Sequence, residues 1–345
     1  MTYSLTAIDI RNVVKEFQAF VGGRVNKFYQ LKNSFTLRVN NKGVTKNLNI
    51  LLPGLIFLSS EIKYAADTAT PLTMGIRKRI TNAKILSIKQ VGAERIIRIE
   101  LEKSKEIFFI LIEMFSKGNL MLLNNDNKIL QLYSTQSWSA RTVKKGLVYE
   151  GPPGGTGFET DAKRLKEEIE NFDNPAKLLA IVFGLGGTYA EEICAKEKFT
   201  KMPKETDALK AVKTFLKKPI KPHLYENKLS SYKLGLIDGG IAYATMSEMI
   251  EIAVKEDSSK ILNPQEKAVK KQLAVIAGQE EAIIALEKKI IDNTRKAEII
   301  YEQYVGIQKV LDKVIELKDW NLAYEYLKGK VKSINKKDKI ITVGA

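Results

Sequence analysis

The 345-residue chain has one cysteine, Cys194, and one histidine. A lone cysteine cannot close an intramolecular disulfide, so the chain is not the cross-linked framework of a small secreted domain. One histidine and one cysteine also fall short of a nitrogen and sulfur set for zinc. They leave no Cys/His couple and no Ser-His-acid constellation, and the expectation is no catalytic residue, no metal and no cofactor, with only carboxylate-based metal binding left open. Long apolar runs are missing too: the run at 107–112 is far short of the ~20 residues of a membrane helix. The opening MTYSLTAIDIRN carries polar and acidic residues where a signal peptide needs a continuous apolar stretch. The expected setting is therefore cytoplasmic, with no membrane partner.

Acids are scarce relative to bases. Lys plus Arg number 56 against 40 Asp plus Glu, a formal net charge of +16. Such an excess favours an anionic partner, most commonly nucleic acid. The competing explanation is a lysine-rich surface of the heat-adapted type. At roughly 150 residues per domain the length allows two or three domains.

Periodicity divides the chain. Ile10, Val13, Val14, Phe17, Phe20 and Val21 share one helical face, Thr6 with Asp9 forms a capping-box pattern, and Gly22-Gly23 is a stop, which predicts a helix over 7–20. Short β-rich runs follow at 24–31, 35–40, 47–52, 56–59, 85–91, 95–101, 107–114, 120–124 and 129–134. Connections this short favour antiparallel hairpins. The expectation over 1–150 is a β-sandwich or open barrel, with the first helix and a second at 71–80 packed on it. The Gly- and Pro-rich string 151–157 reads as a linker. Helical patterns at 165–172, 175–183, 188–196 and 207–216 predict an all-α domain over 158–220. A small α/β connector is expected over 221–260, with a hairpin of 232–237 and 241–245 and a helix at 246–254. From 261 to 330, Val269, Ile276, Ile283, Ile290, Ala297, Tyr304 and Leu311 recur every seven residues, with Leu286, Ile300, Ile307 and Val314 beside them. This predicts the outgoing helix of a coiled-coil arm, with Asn293 on its seam; the alternative is a long helix packed on its own domain. The overall class is α+β.

Recognition candidates are few. Gly184-Leu185-Gly186-Gly187 between two helices has the outline of a helix-hairpin-helix, in which glycines allow close backbone approach and helix-terminal amides hold a phosphate oxygen. Residues 196–233 contain 11 Lys against 4 acids, a local excess of +7. Arg77, Lys78 and Arg79 span most of a helix circumference, so at least one faces solvent or a ligand. Lys117 is a further phosphate-binding candidate. Glu94, Arg95 and Glu113 read from the residues alone as strand-end charges, more often solvent or ion-pair residues than functional ones.

The strings LTAIDIRNVVKEFQAFVGGRVNKFYQL, PLTMGIRKRI, QVGAERIIRIEL, EMFSKGNLMLL and GLGGTYAEEI, with Arg141, Gly146, Tyr149 and Pro152-Pro153 between them, stand in this order over most of residues 4–193. In this arrangement the chain resembles the N-terminal half of the NFACT family, the ribosome-associated quality-control tailing factors of the RqcH kind, formerly called fibronectin-binding proteins. The resemblance implies a DNA-glycosylase-like β-domain, a helix-hairpin-helix domain and a coiled coil. It implies a binder rather than an enzyme: a factor on the large ribosomal subunit carrying obstructed peptidyl-tRNA that recruits aminoacyl-tRNA, alanyl-tRNA in prokaryotes, for mRNA-independent tailing. The family's tRNA-contacting Asp-Arg pair falls on Glu94-Arg95, the charge moved by one methylene, and its Glu-hydrophobic-hydrophobic triplet falls on Glu113-Met114-Phe115. The family continues into a returning helix and an RNA-binding NFACT-R domain, expected to be absent from a chain that stops at Ala345. An arm without its returning helix is expected to pair with a second copy or fold back. Two rivals remain: an RNA-binding scaffold that does not tail, and a DNA glycosylase/AP lyase, which would need an amine nucleophile where the chain has Thr2 and Tyr3. A surface adhesin lacks a recognisable signal or anchor.

Overall fold

The computed structural model describes residues 3–61, 65–66, 68–139, 141–152, 157–260, 264–335, 337–338 and 340–342. Part of the expected linker, 153–156, the start of the expected arm, 261–263, and the Val269 side chain lie outside the described residues. Two compact units are present, Met1–Ile261 and Leu262–Ala345.

Helix α1 (Ala7–Phe17) opens with the predicted capping box: the Asp9 amide donates to Thr6 Oγ1 at 3.2 Å and the Thr6 amide donates to Asp9 Oδ2 at 3.0 Å. It ends earlier than periodicity suggests, in a 3-10 turn, Gln18–Phe20, that still buries Phe20. Strands β1 (Arg24–Leu31), β2 (Ser34–Asn41), β3 (Val44–Leu51) and β4 (Leu55–Ser59) form a meander, and α2 (Pro71–Ile80) starts on the expected proline. A second meander comprises β5 (Lys84–Gln90), β6 (Ile96–Lys103), β7 (Glu106–Glu113), β8 (Asn119–Asn124) and β9 (Ile129–Leu132).

The two meanders are one antiparallel sheet of nine strands, in the order β4-β3-β2-β1-β5-β6-β7-β8-β9, which corrects the expected sandwich or barrel. They join through Arg24 opposite Lys84, next to irregularities in both strands. No second sheet is needed over the main apolar face because helices cover it: Ile10, Val13 and Phe17 of α1 and Ile76 and Ile80 of α2 share one core with the strands. On the other face a small cluster of Ile96, Phe109, Leu111 and Met121 is closed by Val143 from the hairpin of β10 (Gln136–Ser137) and β11 (Thr142–Val143).

Four helices follow: α3 (Ala162–Ile169), α4 (Pro175–Val182), α5 (Gly187–Glu197) and α6 (Glu205–Leu216). Helix α3 begins before the expected residue 165 because the Asp161 side chain accepts the Arg164 amide at 2.8 Å. Beyond them, β12 (His223–Tyr225) pairs with both β13 (Lys228–Ser230) and β14 (Ile241–Ala242). The hairpin expected between 232–237 and 241–245 does not form. The first of those segments has its backbone donors engaged elsewhere: Glu192 accepts the Gly235 amide at 2.8 Å and the Leu236 amide at 3.2 Å, while Tyr232 is buried in the helical core. Helix α7 (Met246–Lys260) returns to the sheet's core and is longer than expected, with Glu16 accepting the Met246 and Ser247 amides at its start.

In the second unit, α8 (Pro264–Glu302) is interrupted at Gln303 and followed by α9 (Tyr304–Leu317), then by α10 (Trp320–Leu327) and a hairpin of β15 (Ser333–Asn335) and β16 (Ile340–Thr342). The heptad residues Ile276, Ile283, Ile290 and Ile300 are all about half exposed or more. The outgoing helix of the expected arm is present with an exposed stripe, and the described residues do not show it in a coiled coil. A heptad repeat specifies what a helix can pair with, and among the described residues no helix covers these four positions.

A single carboxylate ties the sheet to the helices. Asp9 is fully buried, and its Oδ1 accepts the Tyr189 hydroxyl from α5, the Ser231 amide at 3.0 Å and the Ser231 hydroxyl at 2.6 Å. One helical turn on, the Asn12 amide donates to the Tyr232 hydroxyl at 3.0 Å. Replacing Asp9 with Ala strands these buried donors and removes the capping box. We expect a loss of about 3 kcal/mol in denaturant unfolding of the Met1–Ile261 unit, with Asp9→Asn losing less. An unchanged unfolding midpoint for Asp9→Ala would show that the network contributes little.

Candidate nucleic-acid interface

The sheet register decides which candidates meet. Ile96 of β6 lies opposite Glu113 of β7, and the Met114 amide donates to the Arg95 carbonyl at 2.8 Å. The Glu94-Arg95 pair and the Glu113-Met114-Phe115 triplet are therefore neighbours at one end of the sheet. The turn carrying the pair is held from below by Gln90, whose side-chain amide donates to the carbonyls of Glu94 and Ala7, each at 2.8 Å.

The glycine turn between α4 and α5 closes on this end. Gly184 has φ +67°, and a β-carbon there would stand 2.8 Å from the Ala93 β-carbon. Both the left-handed backbone and the close approach require glycine. Gly186, at φ +74°, caps α5 against the Thr6 side chain, and Gly187 is the exposed first residue of that helix. The result is an open cleft of about 560 Å³ whose walls include Thr6, Glu94, Arg95, Phe115, Gly184 and Gly186.

Arg95 is the unusual charge in this cleft. Its Nη1 donates to Ser4 Oγ at 3.1 Å, and no carboxylate of the described residues stands at ion-pair distance. Partial burial pushes the guanidinium pKa below its ordinary value, with Glu94 opposing the shift. The guanidinium therefore keeps donors that are not matched by a carboxylate.

Glu113 is placed differently. It is 1 % exposed and forms an ion pair with Arg141 at 2.7 Å, while the Tyr149 hydroxyl donates to the same oxygen at 2.8 Å. Arg141 also donates to the Glu150 carbonyl and lies over the Trp138 ring at 4.6 Å. Met114 is in the main core, so only Phe115 of the triplet reaches the cleft. Arg141 stands 5.7 Å from the Phe115 ring centre, which makes the buried pair a support for that ring.

The remaining cations lie elsewhere. Arg77 Nε donates to the Phe28 carbonyl at 2.6 Å, Arg79 donates to the Gly75 carbonyl at 3.1 Å, and Lys78 is exposed. The Lys103 ammonium donates to the Lys78 carbonyl, tying α2 to the far end of β6, roughly 25 Å of strand from Arg95. Lys117 is exposed in the turn after β7, two residues past Phe115, outside the cleft lining. On α6, Lys210, Lys213 and Lys217 with Thr206 and Thr214 line a shallow basic groove of about 450 Å³. Among the described residues, no group of three or more His, Cys, Asp or Glu converges as a metal site, and no helix is long and apolar enough to cross a membrane.

Residues 6–321 match the NFACT N-terminal and middle domains. The chain belongs to this family. The archaeal Rqc2 homolog aRqcH of Methanocaldococcus jannaschii is 23% identical over 93% of this chain and 54% of its own length. The Rqc2 homolog RqcH of Streptococcus pneumoniae is 24% identical over 82% of this chain and 55% of its own. The chain thus spans about half the length of these relatives. In fold, it resembles the N-terminal part of the fibronectin/fibrinogen-binding protein from Streptococcus suis, with a TM-score of 0.64 at 19% identity over 73% of this chain and 100% of that one.

Within this NFACT chain, Ser4, Thr6 and Ala93 are cleft residues that sequence reasoning passed over. Their only signal was position: a helix cap and a small residue just before a charged pair. Tyr149 makes the site's second support testable. Burial, and after it the Glu113 carboxylate, push its phenol pKa above the ordinary 10.0. A raised pKa means that the folded state holds the proton more tightly, so this stabilisation is complete below pH ~10 and is lost as pH rises through the folded value. Melting temperatures followed from about pH 8 to 11 should fall more steeply at the alkaline end for the native chain than for Tyr149→Phe. Parallel curves would remove Tyr149 as a source of that fall.

Proposed function

We propose that this NFACT chain is the RNA-binding part of a ribosome quality-control factor. It engages the large ribosomal subunit carrying obstructed peptidyl-tRNA and recruits aminoacyl-tRNA, alanyl-tRNA in the fullest form of the reading, for mRNA-independent C-terminal tailing in the cytoplasm. Peptide bonds are made by the ribosome, and the chain acts by binding. The observation that carries this is the half-buried Arg95, without a carboxylate at ion-pair distance, in a cleft between the sheet end and the glycine hairpin.

In this reading Arg95 and Glu94 contact tRNA, Phe115 offers a stacking face, and Glu113 with Met114 positions Phe115. The Gly184-Gly186-Gly187 turn approaches a phosphate through its backbone. Lys117, the α6 lysines and, more remotely, Arg77, Lys78 and Arg79 add phosphate contacts that carry no sequence preference. The arm carries the coiled-coil assignment: the stripe of Ile276, Ile283, Ile290 and Ile300 is covered by another helix, supplied in this chain by a second copy. Each isoleucine buried contributes about 1.5–3 kcal/mol, which favours pairing over exposure.

Arg95→Ala should weaken tRNA binding by about tenfold while leaving the melting temperature nearly unchanged, because the side chain's hydrogen bond is to one hydroxyl. In the same titrations log K should fall linearly with log salt, with a slope shallower by about one in the variant. Equal affinity in Arg95→Ala would remove the pair from the interface, and a flat salt response would return the +16 charge to a solvated surface. Light scattering over a concentration series tests the arm: a dimer is the expected species at high concentration, and a monomer throughout would contradict pairing.

A further inference from the structure

A second and larger cleft, about 880 Å³, shares Ala93 and Glu94 with the Arg95 cleft. Its apolar surface is offered by Val91, which is exposed, and by the half-buried Phe158 and Leu216, over Val14, Ile88, Ile96 and Leu111, which are themselves almost fully buried. Around this surface stand four cations, Arg11, Lys15, Lys89 and Arg98, against two acids, Glu94 and Glu159.

Three of these cations are held by neutral partners. Arg11 Nη1 donates to the Leu216 carbonyl at 3.3 Å and its guanidinium lies 5.7 Å from the Phe158 ring centre. Lys15 Nζ donates to Asn12 Oδ1 at 3.1 Å, and Arg98 Nη2 donates to Asn127 Oδ1 at 2.9 Å. No carboxylate of the described residues is at ion-pair distance from any of the three. Desolvation, and then the nearby Arg11, lower the Lys15 pKa, and desolvation lowers that of Arg98. Like charges are gathered here and partly dried, an arrangement that an anion relieves.

A purely apolar ligand would leave these cations unmatched, and a small inorganic anion would leave the apolar floor of Val91, Phe158 and Leu216 in water. A nucleotide satisfies both, with a planar base on the floor and a phosphate at the rim. We propose that this cleft is a second subsite that takes one unpaired nucleotide of a bound RNA strand, with its phosphate held by Arg11 and Lys15. The inference rests on the RNA-binding reading of the Arg95 cleft and extends it, since the shared Ala93-Glu94 wall lets one strand visit both. A free mononucleotide has the same chemistry and is the alternative source.

The test uses the full chain, adenosine 5′-monophosphate, and a fluorescein-labelled single-stranded oligoribonucleotide of about five nucleotides. The variants are Lys15→Gln, Arg11→Gln with Lys15→Gln, and Val91→Asp, which places a negative charge in the cleft at a side chain already 40% exposed. Melting curves establish that each is folded; Lys15→Gln and Val91→Asp leave the Arg11 hydrogen bond intact. We expect the oligomer to bind the native chain and to bind these variants about tenfold or more weakly. The mononucleotide should bind far more weakly than the oligomer. Unchanged oligomer affinity in folded Lys15→Gln and Val91→Asp would overturn the subsite. If Arg95→Ala still lost tRNA in that case, the tRNA reading would stand without it. Mononucleotide binding as tight as the oligomer's would overturn the assignment to a strand.

Discussion

Everything at the sheet end depends on a buried carboxylate that is met by hydrogen bonds. Asp9 faces a hydroxyl and an amide of its own helix cap on one side, and Tyr189 and Ser231 on the other. A charge without donors here would cost several kcal/mol, so the three segments that supply donors are held in one arrangement. That arrangement seats the helical part against the start of α1. Gly186 then comes to rest on Thr6 and Gly184 on Ala93, and the cleft between them has a defined width.

Two kinds of charge occupy that end, and burial with partners separates them. Glu113 and Arg141 are nearly inaccessible and bonded to each other, with Tyr149 completing the set. They form scaffold: removing one partner would strand the other, and burial keeps both away from a ligand. Arg95, Arg11 and Arg98 are partly buried and Lys15 is exposed, and all four are bonded to neutral oxygens. For the two arginines whose pKa is lowered by burial, Glu94 opposes the shift at Arg95 and Glu100 at Arg98, but neither carboxylate stands at ion-pair distance.

Much of the architecture could be read from the chain alone. The capping box and apolar face of α1, the strand runs, the proline start of α2, the four-helix pattern and the heptad stripe all depend on residues within one or two turns of each other. The strings that identify the family are equally local, and the matched span 6–321 agrees with them. Local chemistry also marked Glu94, Arg95 and the glycine turn as candidates.

What the sequence could not convey was which of these pieces meet. One sheet forms instead of two because helices cover the apolar face, and a helix's destination is not written in its own periodicity. The 232–237 segment is a good strand by alternation, yet Glu192 accepts its amides. Glu113 looks like a ligand until the fold buries it against Arg141, and Arg77 looks free until its Nε bonds the Phe28 carbonyl. The physical reason is the range of the forces involved. Propensity, capping and periodicity act over a few residues along the chain, whereas register, burial and charge pairing are fixed by partners tens to hundreds of residues away, such as Asp9 and Ser231, and only the folded chain brings those partners together.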